Sequence, residues 1–188
     1  MADIGAGSGR LTLDLIRKGH DVIATEASAK SVDVLRNTTA NRVISLVGDG
    51  LLPLKHRNAV DVVVVAGMGS NRIVHIIGQR HVLPYNPVFF IQPIQGILAV
   101  RRYLHENLAV IHRARLVEDD ARMYASWGVS FDGIDAPIAM FAEFSQDPLW
   151  PELCFREQQF RRHKLTFPLS QKDYKKTLEE LGYWNTVL

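Results

Sequence analysis

Four consecutive valines, Val62 to Val65 in the stretch VDVVVVAGMG, constrain this chain more than any other feature. A β-strand turns successive side chains to opposite faces, so an unbroken β-branched run requires cover on both. Strands of that kind belong to parallel sheets with helices on either side. The rest of the sequence keeps the matching rhythm, with short β-branched runs alternating with stretches of helical period. Strands are predicted at Met1 to Ile4, DVIATE, VISLVGDG, VDVVVVAGMG and PVFFIQP, and helices over SGRLTLDLIRKG, SAKSVDVLRNTTA, SNRIVHIIGQRHVL and GILAVRRYLHENL. AVIHRARLVED and RMYASWGVSF then read as antiparallel neighbours across a turn near Asp119 and Asp120, which makes seven strands.

A chain of 188 residues with 47% hydrophobic content can bury a sizeable core. We expect one α/β domain over residues 1–145 and a short helical extension over 146–188, where Pro148, Pro151 and Pro168 punctuate two helical stretches. The 22 basic and 20 acidic residues nearly balance, so bulk charge names no partner. Cys154 is the only cysteine, which rules out an intrachain disulfide and suits a reducing cytoplasm. No apolar run approaches the ~20 residues of a membrane span.

The first strand leads into a turn with glycine at every second position, Gly5, Gly7 and Gly9, followed at once by a helix. Such a turn brings bare N–H groups against a ligand at a helix N-terminus. The dinucleotide fingerprint G-x-G-x-x-G would need a third glycine where Arg10 stands, and no phosphate-cradling P-loop occurs. Asp3, just ahead of the turn, would repel a pyrophosphate but suits the ammonium of a methionine moiety. Glu26, closing the second strand, is placed to accept ribose hydroxyls, and Asp49 after the third is placed to accept an adenine amine. Each acid taken singly is equally well a turn former or helix cap. Their order beside the glycine turn points to S-adenosylmethionine.

An open parallel sheet ending in an antiparallel pair is the plan of the Rossmann-like class I methyltransferases. Within that class VGDGL, VDVVVVAGMGSNRI, FFIQP with VRRYLHEN, and LVEDDARMY, in this order, resemble the bacterial tRNA (adenine-N1)-methyltransferases of the TrmK type. The resemblance implies a pocket for S-adenosylmethionine lined by Asp3, Gly5, Glu26, Asp49, Gly50, Ala66, Gly67 and Met68. The target adenine would lie over a Gly67 to Gly69 turn. In that family the first motif looks like D-I-G-[ST]-D-H-A, its second acid proposed for catalysis, whereas this chain has Gly7 and Ser8 there. The family's Q-P-N becomes Gln92-Pro93-Ile94. No catalytic residue is therefore assigned, and a relative that keeps the fold without methyl transfer is the alternative reading. Family members also carry a helical segment before the first strand, so a segment ahead of Met1 is expected to be lost or left out of the reading frame.

Other chemistries find less support. The amino-methylating motif [DN]-P-P-[FYW] should follow the fourth strand, where AGMG stands instead. Cys154 lies in the extension, far along the chain from the turn, and reads as a buried structural thiol. The seven histidines show no paired metal-ligand spacing. Basic residues cluster at Lys55 to Arg57, at Arg101 and Arg102, from His112 to Arg115, and from Arg161 to Lys164. The last cluster, with Arg161, Arg162 and Lys164, is the best candidate for RNA phosphates, because the family's C-terminal helices help hold the tRNA. Trp127, Trp150 and Trp184 are candidates for stacking on bases or for the core.

Overall fold

The structure, a computed structural model, describes residues 1–57, 60–133 and 139–187. Its elements follow in the order β1 (Ala2–Ile4), α1 (Arg10–Arg17), β2 (Ile23–Glu26), α2 (Ala29–Thr39), β3 (Ile44–Val47), β4 (Val62–Gly69), α3 (Ser70–Gly78), β5 (Val88–Gln95), α4 (Ile97–Glu106), β6 (Val110–Asp119), β7 (Arg122–Ser130), α5 (Trp150–Lys164) and α6 (Gln171–Trp184). The strands form one seven-stranded sheet in the order β3-β2-β1-β4-β5-β7-β6. β1 to β5 pair in parallel, and β7 runs antiparallel to β5 with Phe90 opposite Gly128. This is the Rossmann-like arrangement expected of a class I methyltransferase, mostly parallel and followed by C-terminal helices.

The valine run explains the centre. Val63 and Val65 are fully buried on one face of β4 and Val64 nearly so on the other, as a strand covered on both faces requires. β6 and β7 meet at Asp120 and Ala121, whose φ values of +47° and +57° give the two-residue turn that suits the twist of paired strands. That places the hairpin turn within one residue of where the sequence put it.

The chain divides into two compact units, Met1–Ala114 with Ala125–Met140, and Arg115–Tyr124 with Phe141–Leu188. The second unit has an aromatic core. Phe141 lies 5.2 Å from Trp150 and 5.3 Å from Trp184, ring centre to ring centre. Trp127, Trp150 and Trp184 are all buried, so each serves the interior and none is presented to a base. Cys154 is buried too, and desolvation with the nearby Glu157 charge pushes its thiol up to about 12. α6 starts on Ser170, whose hydroxyl oxygen accepts the Asp173 N–H at 3.1 Å, a cap worth about 1 kcal/mol.

Candidate functional site

β1 is followed by a crossover to β2 on one side, while β4 and β5 extend the sheet on the other. A crevice opens at such a reversal, at the carboxyl ends of the strands. The residues picked out from the sequence gather along that edge: the glycine turn after β1, Glu26 ending β2, Asp49 and Gly50 after β3, and Ala66 to Gly69 ending β4.

The glycine turn is built as its composition requires. Gly5, Gly7 and Gly9 have φ of +69°, +58° and +80°, a region other residues enter only with strain. Gly5 and Ala6 both donate to the Thr25 carbonyl, at 2.8 and 3.2 Å, which ties the turn to β2. A Cβ on Gly5 would meet only the Met68 methyl, the movable end of a flexible side chain, so it is the φ that calls for glycine here. The Gly7 N–H donates to the Glu26 carboxylate across the mouth of the turn. Asp3 sits beneath it, 3% exposed, accepting the Thr12 hydroxyl at 2.6 Å. Burial holds the Asp3 carboxyl above its ordinary range, the Thr12 bond opposing and the Glu26 charge adding to the rise.

Asp49 is engaged by α3. Arg72 reaches one carboxylate oxygen at 2.8 Å, while His75 at 2.6 Å and Gln79 at 3.0 Å meet the other. An imidazole nitrogen facing a carboxylate must carry its proton, so His75 Nε2 donates. The His75 hydrogen bond chiefly, then the Arg72 charge, holds the Asp49 carboxyl below its usual range against the opposing effect of desolvation. The Gln79 carbonyl also accepts the Leu51 N–H at 2.8 Å, which fixes the loop's path. Sequence reading singled out none of these three partners. Their spacing of three and then four residues does mark one face of a helix.

β4 reaches Gly69, as the strand reading VDVVVVAGMG expected, so the Gly67 to Gly69 turn implied by the resemblance is an irregular strand end. The strand runs beside β5, with irregular register between Ala66 and Met68 and again between Met68 and Gly69. Gly67 has φ of +72°, and its N–H donates to the Gln92 side-chain carbonyl at 3.0 Å. The Gln92 amide in turn donates to the Pro93 carbonyl at 2.9 Å. Nothing stands within 4 Å of where a Cβ on Gly67 would be, so the bulge presents open backbone.

In the second unit the expected RNA-contacting cluster separates. Arg161 is 4% exposed, bonded to Glu157 at 2.6 Å and to Glu180 at 3.1 Å, and its guanidinium faces inward. It is corrected here from a phosphate contact to a buried partner of two carboxylates. Arg162 is exposed and Lys164 half-buried. Among the described residues no group of three His, Cys, Asp or Glu is positioned to hold a metal, and no helix is long and apolar enough to cross a membrane.

Residues 1–126 match the family model described as "Methyltransferase domain". The chain belongs to that methyltransferase family. An uncharacterized methyltransferase of Mycobacterium tuberculosis strain H37Rv is 41% identical over 64 residues, 34% of this chain and 26% of the relative. This methyltransferase chain therefore spans about a quarter of the length of that curated relative. Among solved structures, TrmK of M. capricolum in complex with S-adenosyl-homocysteine superposes with a TM-score of 0.76 at 15% identity, covering 98% of this chain and 88% of that one. The m1A22 tRNA methyltransferase TrmK of B. subtilis gives 0.73 at 21% identity, covering 97% and 87%. At such identities the likeness is one of fold.

Proposed function

We propose that this methyltransferase binds S-adenosylmethionine along the carboxyl ends of β1, β2 and β4 and methylates a tRNA at adenine N1. The observation that carries the reading is the Glu26 carboxylate closing the glycine turn, in a chain whose fold matches a TrmK solved with S-adenosyl-homocysteine. When bound, the cofactor supplies a methyl group on a sulfonium. The chain's part is to hold and orient.

Glu26 gives up the Gly7 N–H for ribose hydroxyls, exchanging one donor for others of the same kind. Gly5, Gly7 and Gly9 let the chain pass close to the ligand, and Asp3 sets the negative field beneath the methionine end. A carboxylate has about four acceptor sites, so Asp49, with His75 and Gln79 on one oxygen and the Arg72 charge beside the other, keeps acceptor room for the adenine amine. Gly50, Ala66 and Met68 line the pocket. Gly67 and Gly69 receive the target base, and Arg162 and Lys164 meet RNA phosphates. The single buried cysteine suits the cytoplasm as the place of action.

Transfer to N1 would form the N1–CH3 bond as the sulfonium S–CH3 bond breaks and the thioether S-adenosylhomocysteine leaves, an in-line displacement for which the chain's positioning would supply much of the rate. An acid near the exocyclic amine would accept the proton released as the ring gains charge. Gly7 and Ser8 occupy the place of that acid, while Asp3 already takes the Thr12 hydroxyl and Glu26 the Gly7 N–H. This favours a second reading, a relative that binds cofactor and RNA without transfer. Calorimetry with S-adenosylmethionine, and NAD as control, tests the first step: binding lost in Glu26→Ala supports the site, and no binding in the wild type overturns both readings. Nucleoside mass spectrometry of treated tRNA then separates transfer from binding alone.

A further inference from the structure

α6 carries a row of side chains left half-exposed by the described residues. Tyr174, Leu178 and Gly182 follow at four-residue spacing, which forms one row along a helix. Tyr174 is 47% exposed and Leu178 44%, and nothing lies within 4 Å of where a Cβ on Gly182 would stand. The packing face of the helix is elsewhere, with Thr177 and Trp184 buried and Gln158 of α5 donating to the Trp184 carbonyl at 2.8 Å. Lys175 and Glu179 stand one residue on from Tyr174 and Leu178, both exposed.

The ridge is complementary to itself. Tyr174 and Gly182 each lie four residues from Leu178. A two-fold axis through Leu178 that lays two copies of α6 antiparallel therefore packs Leu178 on Leu178 and sets the largest residue of the row opposite the smallest. Charge fixes the direction. Lys172, Lys175 and Lys176 make the first half of the helix basic despite Asp173, which is tied to Ser170, and Glu179 and Glu180 make the second half acidic, so parallel pairing opposes like charges and antiparallel pairing unlike ones. Glu180 is already bonded to Arg161, which leaves Glu179 for the partner copy. With a rise of 1.5 Å per residue, Lys175 of one copy and Glu179 of the other differ by about 3 Å along the axis. They share a flank, because a two-fold axis perpendicular to both helices keeps each flank on its own side. Every such contact occurs twice.

We infer that the Tyr174–Leu178–Gly182 ridge is the interface of a symmetric homodimer, with α6 packed antiparallel on α6 of a second copy. The inference does not depend on the catalytic reading. One helix of 14 residues makes a small interface, so association is weak and concentration-dependent.

Sedimentation equilibrium of the chain from ~1 to ~100 µM tests it. The expected result is a shift from monomer to dimer across the range, abolished by Leu178→Glu with the far-UV spectrum unchanged. Lys175→Glu alone and Glu179→Lys alone each weaken association by about ten-fold or more, because like charges then meet twice. An equimolar mixture of those two variants associates as well as the wild type, since each new carboxylate faces a new ammonium. No effect confined to the folding of one chain gives that rescue. A monomer at every concentration, or a dimer indifferent to Leu178→Glu, overturns the inference. A monomer whose tRNA affinity falls on Leu178→Glu overturns it as well, and gives the ridge to RNA.

Discussion

The Gln92 side-chain carbonyl holds the Gly67 N–H at 3.0 Å, so a residue of β5 fixes the bulge at the end of β4. Gln92→Leu leaves that N–H without its acceptor at a cost of about 0.5–1.5 kcal/mol, read by urea denaturation. On the proposed reading Gly67 receives the target base, so misplacing this backbone costs more in rate than in stability and methyl transfer is expected to fall by ~100-fold. Gln92→Glu keeps the acceptor and loses only the bond to Pro93, and should stay nearer the wild type. Equal losses in both variants would show that the Gly67 bond is not what matters.

The Asp49 carboxyl has its pKa lowered in the folded chain, first by His75. The sign follows from linkage: a depressed carboxylate contributes stability above its unfolded value near 3.9 and loses it as pH falls through the folded value. His75→Ala should therefore raise the Asp49 titration midpoint toward the ordinary range. Carboxyl-carbon NMR between about pH 2 and 6 reads this directly, and an unmoved midpoint would assign the effect to Arg72 and Gln79.

Asp3 carries the opposite sign. Its folded pKa is raised by burial, so the ionised form opposes folding once pH exceeds the unfolded value. Asp3→Asn, which retains an acceptor for Thr12, should raise the melting temperature at neutral pH, with the difference vanishing in acid below both values. The same variant should bind S-adenosylmethionine more weakly in calorimetry if the charge serves the methionine end. Unchanged affinity would leave Asp3 with a structural role only.

Gly5→Ala meets two obstacles, a φ of +69° and the Met68 methyl. The backbone alone costs about 1–2 kcal/mol. Met68→Ala in the same chain should recover the steric part and not the backbone part, which differential scanning calorimetry separates. Full recovery would mean the turn tolerates a side chain at this φ.

Arg161 and Arg162 are neighbours in sequence with different surroundings. Arg161→Ala strands two carboxylates in a buried site, a loss of about 3–5 kcal/mol. Arg162→Ala should leave the melting temperature within a degree or two and lower tRNA affinity with a shallower salt dependence. The reverse pattern would return Arg161 to the RNA surface.

The parts of the fold set by backbone pattern were legible in the sequence, and those set by side-chain destination were not. The valines of β4 dictated a strand covered on both faces, and the short interval between LVED and RMY dictated a hairpin. Glu26 was recognisable as the residue that ends β2 beside the glycine turn, where the structure puts it. The destination of Arg161 depended on which way α5 turns against α6, and the engagement of Asp49 by Arg72, His75 and Gln79 on a helix from elsewhere in the chain. Pairings so distant in sequence leave no periodic trace. The bulge at Gly67 was equally hidden, since one extra residue on each strand, Gly67 on β4 and Ile94 on β5, is visible only once the two are paired.

The burial of Cys154 has a practical side. With a thiol pushed up to about 12, the thiolate at neutral pH is on the order of one molecule in ten thousand or fewer. The chain thus behaves toward maleimides and mild oxidants as though it had no cysteine. A single cysteine introduced at an exposed position such as Lys30 would take a dye or spin label alone, ready for distance measurements without prior removal of the native thiol.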